Sequence, residues 1–203
     1  MRKFIVLMLA ISPIICFSQI GIKAGLNFAN VKGVESFNSS SESGFHIGVF
    51  LAPPSKSIIS SRTELLFSRQ GYNYSTASNA GTVNLDYIMM PQSMAINITK
   101  YVSILFGVQM AYLINAKADT TNSTSGETNP YQNIMDYYNR FDYGFGLGVE
   151  FHPFKGLLVG AKYNISLGKL YQDAAQNGQM PAFADIDAKN NLVQIFAGWR
   201  FGK

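Results

Sequence analysis

The 203-residue chain contains a single cysteine, Cys16, which lies close to its amino terminus. A chain with one cysteine cannot depend on an intramolecular disulfide, even in an oxidising compartment. Charged residues make up only 14% of the chain, and the formal net charge is +4. So small a charge, spread along the sequence, argues against the basic patch that a nucleic-acid-binding surface needs.

Long apolar runs are missing beyond the amino-terminal region. A membrane-spanning helix needs about 20 consecutive apolar residues, whereas the best candidate, Tyr101–Ala116, is shorter and alternates in polarity. The sequence also lacks metal-ligand spacing, a phosphate-binding loop and a Ser/His/Asp constellation. We therefore predict no helical membrane anchor beyond the amino-terminal region, no enzymatic activity and no cofactor.

The amino terminus has the three parts of a secretory signal peptide. The first residues are basic, Phe4–Ile15 is apolar, and Ser18 is a small residue before the predicted cleavage point. This order predicts a signal peptide over residues 1–18 and a mature domain over residues 19–203, with 14 basic and 12 acidic residues. The alternatives are a buried amphipathic helix, although the run has no polar face, and a lipoprotein signal at Cys16, although bulky isoleucines precede that cysteine.

Strict two-residue alternation dominates the rest of the chain. In Phe141–His152 every odd position is large and apolar, and every even position is small or ionisable. This pattern predicts a β-strand with two unlike faces. The eight segments predicted as strands are Ile20–Asn30, Ser43–Ala52, Ser57–Gln70, Val83–Ile98, Tyr101–Asn115, Phe141–His152, Gly156–Gly168 and Asn191–Gly202.

The connections between these segments alternate in length. Three are short: Pro53–Lys56, Thr99–Lys100 and Pro153–Lys155. Four are long: Val31–Glu42, Gly71–Thr82, Ala116–Arg140 and Lys169–Asn190. An even number of strands, with short turns on one side and long loops on the other, is typical of bacterial outer-membrane barrels. We therefore predict an all-β, eight-stranded antiparallel up-and-down transmembrane β-barrel with periplasmic termini and extracellular long loops.

The two strand faces distinguish a membrane barrel from a soluble one. The apolar face of Phe141–His152 has no gap, most other segments repeat its pattern, and nearly all strand charges lie on the opposite faces. A soluble barrel would place its apolar faces inside, whereas eight strands in lipid leave an interior just wide enough for side chains. We expect the inward charges to pair as a structural cluster. Its predicted members are Lys23, His46, Arg62, Glu64, Asp142, Glu150, Lys162 and Arg200.

The pairing of these charges depends on strand register. If the second and third strands pair across Pro53–Ser57, His46 lies opposite Glu64. Glu64 is then the expected partner of Arg62, and Glu150 is the alternative.

The third and fourth predicted strands depart from the regular pattern. Ser61 and Thr63 would face lipid, and Pro91 interrupts the fourth strand. Because proline cannot donate to a ladder, we expect a bulge or bend at Pro91.

Six segments of the mature chain, taken in order, carry a resemblance to a known family. They are Gly21–Asn27, Glu64–Tyr72, Tyr87–Pro91, Phe106–Leu113, Gly144–Glu150 and Ala197–Phe201. In this respect the chain resembles the PorT-like outer-membrane β-barrel proteins of Gram-negative bacteria. Met89 departs from the family, which often has an acidic residue before Ile/Leu-Pro. The resemblance implies a barrel in the outer membrane, and the family's named member assists protein secretion.

These observations predict a small closed barrel in outer-membrane lipid, monomeric and with a structural or interaction role through its long loops. The alternative is an accessory component of a protein secretion or gliding machinery, with an envelope or secretion protein as partner. A narrow channel would instead show conductance steps in planar bilayers. A membrane-embedded hydrolase would need a second polar cluster at the mouth formed by the loops.

Overall fold

The computed structural model describes residues 19–32, 38–52, 57–75, 79–122, 128–133, 135–171 and 189–201. These residues form nine β-strands and one short 3₁₀ helix, Met135–Tyr137. The strands are β1 (Gln19–Lys32), β2 (Asn38–Ala52), β3 (Ile59–Ser75), β4 (Asn79–Asn97), β5 (Val102–Asn122), β6 (Thr128–Asn133), β7 (Phe141–Phe151), β8 (Leu157–Ser166) and β9 (Lys189–Arg200). The predicted signal peptide, residues 1–18, lies outside the described residues.

Eight of the described strands form a closed ring in the order β1-β2-β3-β4-β5-β7-β8-β9. All the pairings are antiparallel, and the contact between β9 and β1 closes the ring. Strand β6 pairs with the far end of β5 outside this ring. A closed ring satisfies every ladder hydrogen bond internally, which a lipid environment requires. The prediction of an all-β, eight-stranded antiparallel barrel is confirmed.

No helix among the described residues is long and apolar enough to cross a membrane.

The barrel has two unlike ends. The short-turn end carries the connections 53–58, 98–101 and 152–156 together with Gln19 and Phe201. The opposite long-loop end carries the connections between β1 and β2, β3 and β4, β5 and β7, and β8 and β9.

The strands reach further into the long-loop end than the sequence pattern predicts. Strands β3 and β4 take up most of the predicted loop Gly71–Thr82, and β5 and β6 occupy much of Ala116–Arg140. Polar cross-strand contacts accompany the extension, such as the hydrogen bond from Thr82 Oγ1 to Asn73 Oδ1 at 2.7 Å. The strand pairing therefore continues where the lipid-facing apolar pattern has already ended.

The alternation places large apolar side chains on the outside of the barrel. On β7 these outward residues are 47–62% exposed, and the inward positions between them hold mostly glycine. The outward residues of β7 are Phe141, Tyr143, Phe145, Leu147, Val149 and Phe151. Ser61 and Thr63 also lie outside, and Thr63 Oγ1 donates to Gln92 Oε1 at 2.6 Å. The outer surface is therefore suited to a lipid surrounding.

The predicted register between β2 and β3 is wrong by four residues. His46 lies opposite Ser68, and Glu64 lies opposite Phe50. The reason is that neighbouring strands are shifted along their length. Strand β3 begins at Ile59, and its first residues lie beyond the end of β2 and pair with β4 alone. Closing a sheet into a barrel requires tilted strands with such a shift between neighbours.

The predicted bulge at Pro91 is also misplaced. Pro91 continues β4 and pairs with Gln109 of β5, while the β3 ladder beside it skips Glu64 and Leu65. The register between β4 and β5 shifts instead beside Asp86 and Tyr87, where Ile114 is the extra residue on β5. The missing N–H of proline is thus accommodated by a local loss of pairing with β3 rather than by an inserted residue.

Candidate functional site in the barrel interior

Side chains from opposite walls meet inside the barrel. Arg62 Nη1 of β3 donates to Glu150 Oε2 of β7, and both side chains are buried. Lys162 Nζ of β8 donates to Ser93 Oγ of β4 at 3.1 Å. In each case the two strands are three positions apart around the ring. These contacts therefore cross the lumen rather than line its wall.

A second ion pair joins more closely placed strands. Lys23 Nζ of β1 donates to Glu64 Oε2 of β3 at 2.8 Å, and both side chains are almost completely buried. The same ammonium lies 3.8 Å from the ring centroid of Phe196, so the cation also contacts an aromatic face. Of the two partners considered for Arg62, Glu150 is the one that it contacts, because Glu64 is held by Lys23.

Lys162 needs space that a glycine provides. A Cβ atom built on Gly146 would lie 2.5 Å from Lys162 Cε and 2.6 Å from Asn164 Oδ1. Any larger residue at position 146 would therefore displace the lysine from its path across the lumen. This contact explains one of the inward glycines of β7.

The other predicted interior residues lie outside these pairs. His46 is buried and its Nδ1 donates to Asn27 Oδ1 at 2.8 Å, rather than to a carboxylate. Asp142 is partly buried near the long-loop end, where it accepts a hydrogen bond from Ser166 Oγ. Arg200 is partly buried at the short-turn end and forms no ion pair with a described residue.

A network of amide side chains continues from His46 and was not foreseen from the sequence. Asn27 Nδ2 donates to Ser68 Oγ at 2.9 Å, and Asn27 Oδ1 also accepts from Gln194 Nε2 at 3.1 Å. Gln194 Oε1 in turn accepts from Asn164 Nδ2 at 2.9 Å. The network joins β8, β9, β1, β2 and β3 across the middle of the barrel. The sequence signal for this network was the presence of asparagine and glutamine at inward positions of the strands.

A cluster of tyrosines closes the interior towards the long-loop end. The Tyr72 hydroxyl lies 2.7 Å from the Tyr138 hydroxyl and also bonds the Tyr171 hydroxyl, and all three side chains are buried. We refer to these three residues as the tyrosine cap. Tyr138 and Tyr171 lie outside the strands and pair with each other as an isolated bridge. Asn139 N also donates to Leu170 O at 3.0 Å, so two connecting segments are fixed together over the lumen.

The tyrosine cap packs on a larger apolar cluster that includes Leu85, Leu113 and Leu192. Burial and the neighbouring hydroxyls raise the pKa of Tyr138 well above its ordinary value. The cap is therefore neutral, and its hydroxyls act as both donors and acceptors. The sequence pattern missed it because Tyr138 and Tyr171 fall in segments predicted to be loops; isolated aromatic residues in polar loops were the only signal.

Removing one hydroxyl tests the tyrosine cap. Tyr72→Phe is expected to lower the free energy of unfolding by about 1–2 kcal/mol, because the hydroxyls it bonds are buried. Urea unfolding of the purified barrel in lipid vesicles measures this change. Tyr112→Phe is the matched control, because Tyr112 faces outward on β5, and it is expected to unfold as the wild type does. Equal stability of Tyr72→Phe and wild type would contradict this assignment.

At the short-turn end the structure brings a serine, a histidine and a glutamate together, although the sequence shows no such motif. His152 Nε2 lies 3.3 Å from Ser103 Oγ and 3.1 Å from Glu150 Oε1. In a catalytic triad the serine and the acid contact different ring nitrogens. Here both contact the same nitrogen, and Ser103 Oγ donates to Asn97 Oδ1 at 2.7 Å. The serine proton is thus directed away from the histidine.

The described residues contain no group of three or more His, Cys, Asp or Glu side chains suited to holding a metal ion.

The ring of strands, the apolar exterior and the filled lumen define a transmembrane β-barrel. The family model for the outer membrane protein beta-barrel domain matches residues 16–172, and the chain belongs to this family. The protein is accordingly placed in the outer membrane. A search of the curated proteins found no match.

Solved structures with the same architecture are found at low sequence identity. Neisserial surface protein A (NspA) is 13% identical, with a TM-score of 0.51 over 90% of this chain and 97% of that chain. Ail, the attachment invasion locus protein of Yersinia pestis, is 17% identical, with a TM-score of 0.47 over 91% of this chain and 97% of that chain. The likeness to NspA concerns the fold alone.

Proposed function

We propose that the protein is a closed, monomeric outer-membrane barrel without enzymatic activity, and that it acts by presenting its long-loop end to a partner. The observation that carries this proposal is the filled interior, where Arg62–Glu150 and Lys162–Ser93 cross the lumen and the tyrosine cap covers it. With the interior occupied, the surfaces available for interaction are those that extend beyond the bilayer.

The strands that extend furthest belong to one side of the barrel. Crossing a bilayer takes about 9–11 tilted residues, whereas β3, β4 and β5 contain 17, 19 and 21 residues. We refer to the far ends of these three strands, together with β6, as the projecting sheet. On β3, β4 and β5 its inward face is apolar and its outward face is polar, with Thr82, Asn84 and Lys117 among the outward side chains. Such a polar sheet face suits binding to a protein outside the membrane.

Photo-crosslinking tests this proposal in intact cells. A crosslinking amino acid at Lys117 on the projecting sheet is expected to capture a defined envelope or surface protein. The same amino acid at Phe145, which faces lipid in the middle of β7, is the control and is expected to capture none. Equal protein adducts at both positions, or none at Lys117, would contradict an interaction role for the projecting sheet.

The orientation of the barrel is part of the proposal. Outer-membrane barrels carry short turns on the periplasmic side and long loops outside, so we expect the long-loop end at the cell surface. The signal peptide proposed for residues 1–18 is consistent with export to this membrane.

Epitope tags test the orientation. A tag inserted within residues 122–129 or 176–180 is expected to be reached by antibody on intact cells, because both segments connect strands at the long-loop end. A tag at Ser55, between β2 and β3, is expected to be reached after permeabilisation alone. Surface detection of the Ser55 tag would reverse the proposed orientation.

A second role is suggested by the resemblance to the PorT-like proteins. These proteins are a narrower group than the outer-membrane barrel family. An accessory component of a secretion or gliding machinery would use the same projecting sheet, and the protein captured from Lys117 would then belong to such a machinery. A channel is disfavoured by the Arg62–Glu150 ion pair and the Lys162–Ser93 hydrogen bond across the lumen, so we expect no conductance steps in planar bilayers. A hydrolase is disfavoured by the arrangement of Ser103 and Glu150 on one nitrogen of His152.

A further inference from the structure

Each short turn exposes a large apolar side chain beyond the end of its strands. Ile58 is 74% exposed, Ile98 is 59% exposed, and Phe154 is 71% exposed. Single exposed apolar residues are common on protein surfaces. Three of them, one on each turn at the same end of a membrane barrel, form a recurring feature that needs a partner surface. We refer to these three residues as the apolar turn tips.

Lysines stand beside two of the apolar turn tips. Lys100 follows Ile98 by two residues, and its Nζ lies 4.8 Å from the ring centroid of Tyr101. Lys155 directly follows Phe154 and is exposed. An apolar side chain next to a lysine, with an aromatic ring beside the ammonium, is suited to the boundary between hydrocarbon and headgroups.

Apart from Glu150, which is buried in the lumen and bonded by Arg62, acidic residues are absent from the segments at this end. Residues 51–61, 92–108 and 151–162, which run through the three turns, contain no aspartate or glutamate. Along these segments the lysines are therefore not neutralised by neighbouring carboxylates. The long-loop end differs, since Asp86 there is bonded by Arg69 and Glu42 lies beside Asn73. The barrel thus presents an uncompensated positive rim at one end.

We propose that the short-turn end binds anionic phospholipid headgroups of the surrounding bilayer through Lys100 and Lys155, with the apolar turn tips inserted beneath the headgroups. The partner is a lipid surface, because the exposed apolar residues adjoin the lipid-facing bands of the strands without a break. It is an anionic surface because the charges of these turns are positive and without acidic neighbours. The inference goes beyond the proposed function, and its test in phospholipid vesicles does not depend on the orientation of the barrel in the cell.

The chain contains one tryptophan, Trp199, in a place that allows a direct test. Trp199 is exposed on β9 at the short-turn end, where Arg200 N donates to Gly156 O at 2.8 Å. Its fluorescence therefore reports on lipids next to the turn that carries Lys155. Brominated lipids quench tryptophan on contact, so they reveal which headgroups collect there.

The experiment compares two brominated lipids at the same fraction in phosphatidylcholine vesicles containing the full-length mature barrel. Brominated phosphatidylglycerol is expected to quench Trp199 more strongly than brominated phosphatidylcholine. The double variant Lys100→Gln/Lys155→Gln is expected to lose most of this excess quenching. The matched variant Lys117→Gln/Lys189→Gln removes two exposed lysines at the long-loop end and is expected to retain it.

Three outcomes would overturn the proposal. Equal quenching of the wild type by the two lipids would show that anionic headgroups do not collect at this end. Excess quenching that survives in Lys100→Gln/Lys155→Gln would show that these lysines do not bind them. Excess quenching lost equally in Lys117→Gln/Lys189→Gln would indicate an effect of total charge. Heat-modifiable migration on gels verifies that each variant is folded.

Discussion

Arg62→Ala is expected to lower the free energy of unfolding by about 3–5 kcal/mol, because it leaves a buried carboxylate without its cation. Arg62 donates to Glu150, and the side chain of Glu150 has no exposed surface. His152 lies 3.1 Å from the other oxygen of Glu150, but it sits near the turn and is partly exposed. Urea unfolding in lipid vesicles measures the change.

An ion pair whose cation is partly exposed, on the same strand, supplies the control for Arg62. Arg69 of β3 donates to Asp86 at 2.7 Å, and its side chain is 45% exposed. Arg69→Ala is expected to cost less than Arg62→Ala, since the Arg69 side chain is partly hydrated and Asn115 still bonds the Asp86 carboxylate. Similar losses for the two variants would mean that burial does not set the strength of the Arg62–Glu150 contact.

A double-mutant cycle identifies the partner of Arg62. Arg62→Met combined with Glu150→Gln is expected to cost less than the sum of the single changes, because the residues interact directly. The same cycle with Glu64→Gln is expected to be closer to additive, because Glu64 is bonded by Lys23. Strict additivity with Glu150 would contradict the pairing. Unchanged stability with lost cellular function would instead indicate a working site inside the barrel.

The face of each strand residue could be predicted from the sequence, but its partner could not. Two-residue periodicity fixes which side chains point inward, and it placed Lys23, Glu64 and Glu150 correctly. It carries no information on the shift between neighbouring strands, which barrel closure sets. A register error of four residues leaves every face unchanged. In the true register Glu64 lies opposite Phe50 rather than His46, so the cross-strand neighbours of the inward charges on β2 and β3 differ from those predicted.

Two-residue periodicity could not predict the closure of the long-loop end, for a different reason. Tyr138 and Tyr171 belong to no strand of the barrel, and they reach Tyr72 because the chain folds back over the lumen. Such a contact depends on connections whose sequences are polar and irregular. The extension of β4 and β5 escaped prediction because its outward residues, such as Thr82 and Lys117, are no longer apolar. The apolar pattern marks the lipid-facing span of a strand rather than its full length.

Phe145→Arg is expected to impair assembly strongly, because it places a charge on the lipid-facing surface. Phe145 lies near the middle of β7, is 55% exposed, and has its ladder partners Val108 and Ile165 on the same outer face. An arginine near the bilayer midplane costs about 2–4 kcal/mol. The fraction of heat-modifiable protein recovered in membranes, and the urea midpoint of what does fold, measure this cost.

Two kinds of variant provide the controls for Phe145→Arg: arginine at other depths in the bilayer, and an uncharged residue of different size at position 145. Phe141 faces outward at the long-loop end of the same strand. Because the cost of an arginine falls to about 0–1 kcal/mol near an interface, Phe141→Arg is expected to assemble far better than Phe145→Arg. Phe145→Leu removes the ring without adding charge and is expected to be mild. Val149→Arg, four residues nearer the short-turn end, is also expected to impair assembly, but less than Phe145→Arg. Wild-type recovery of Phe145→Arg would mean that this face of β7 does not contact lipid, whereas a graded series fixes the position of the bilayer along the strand.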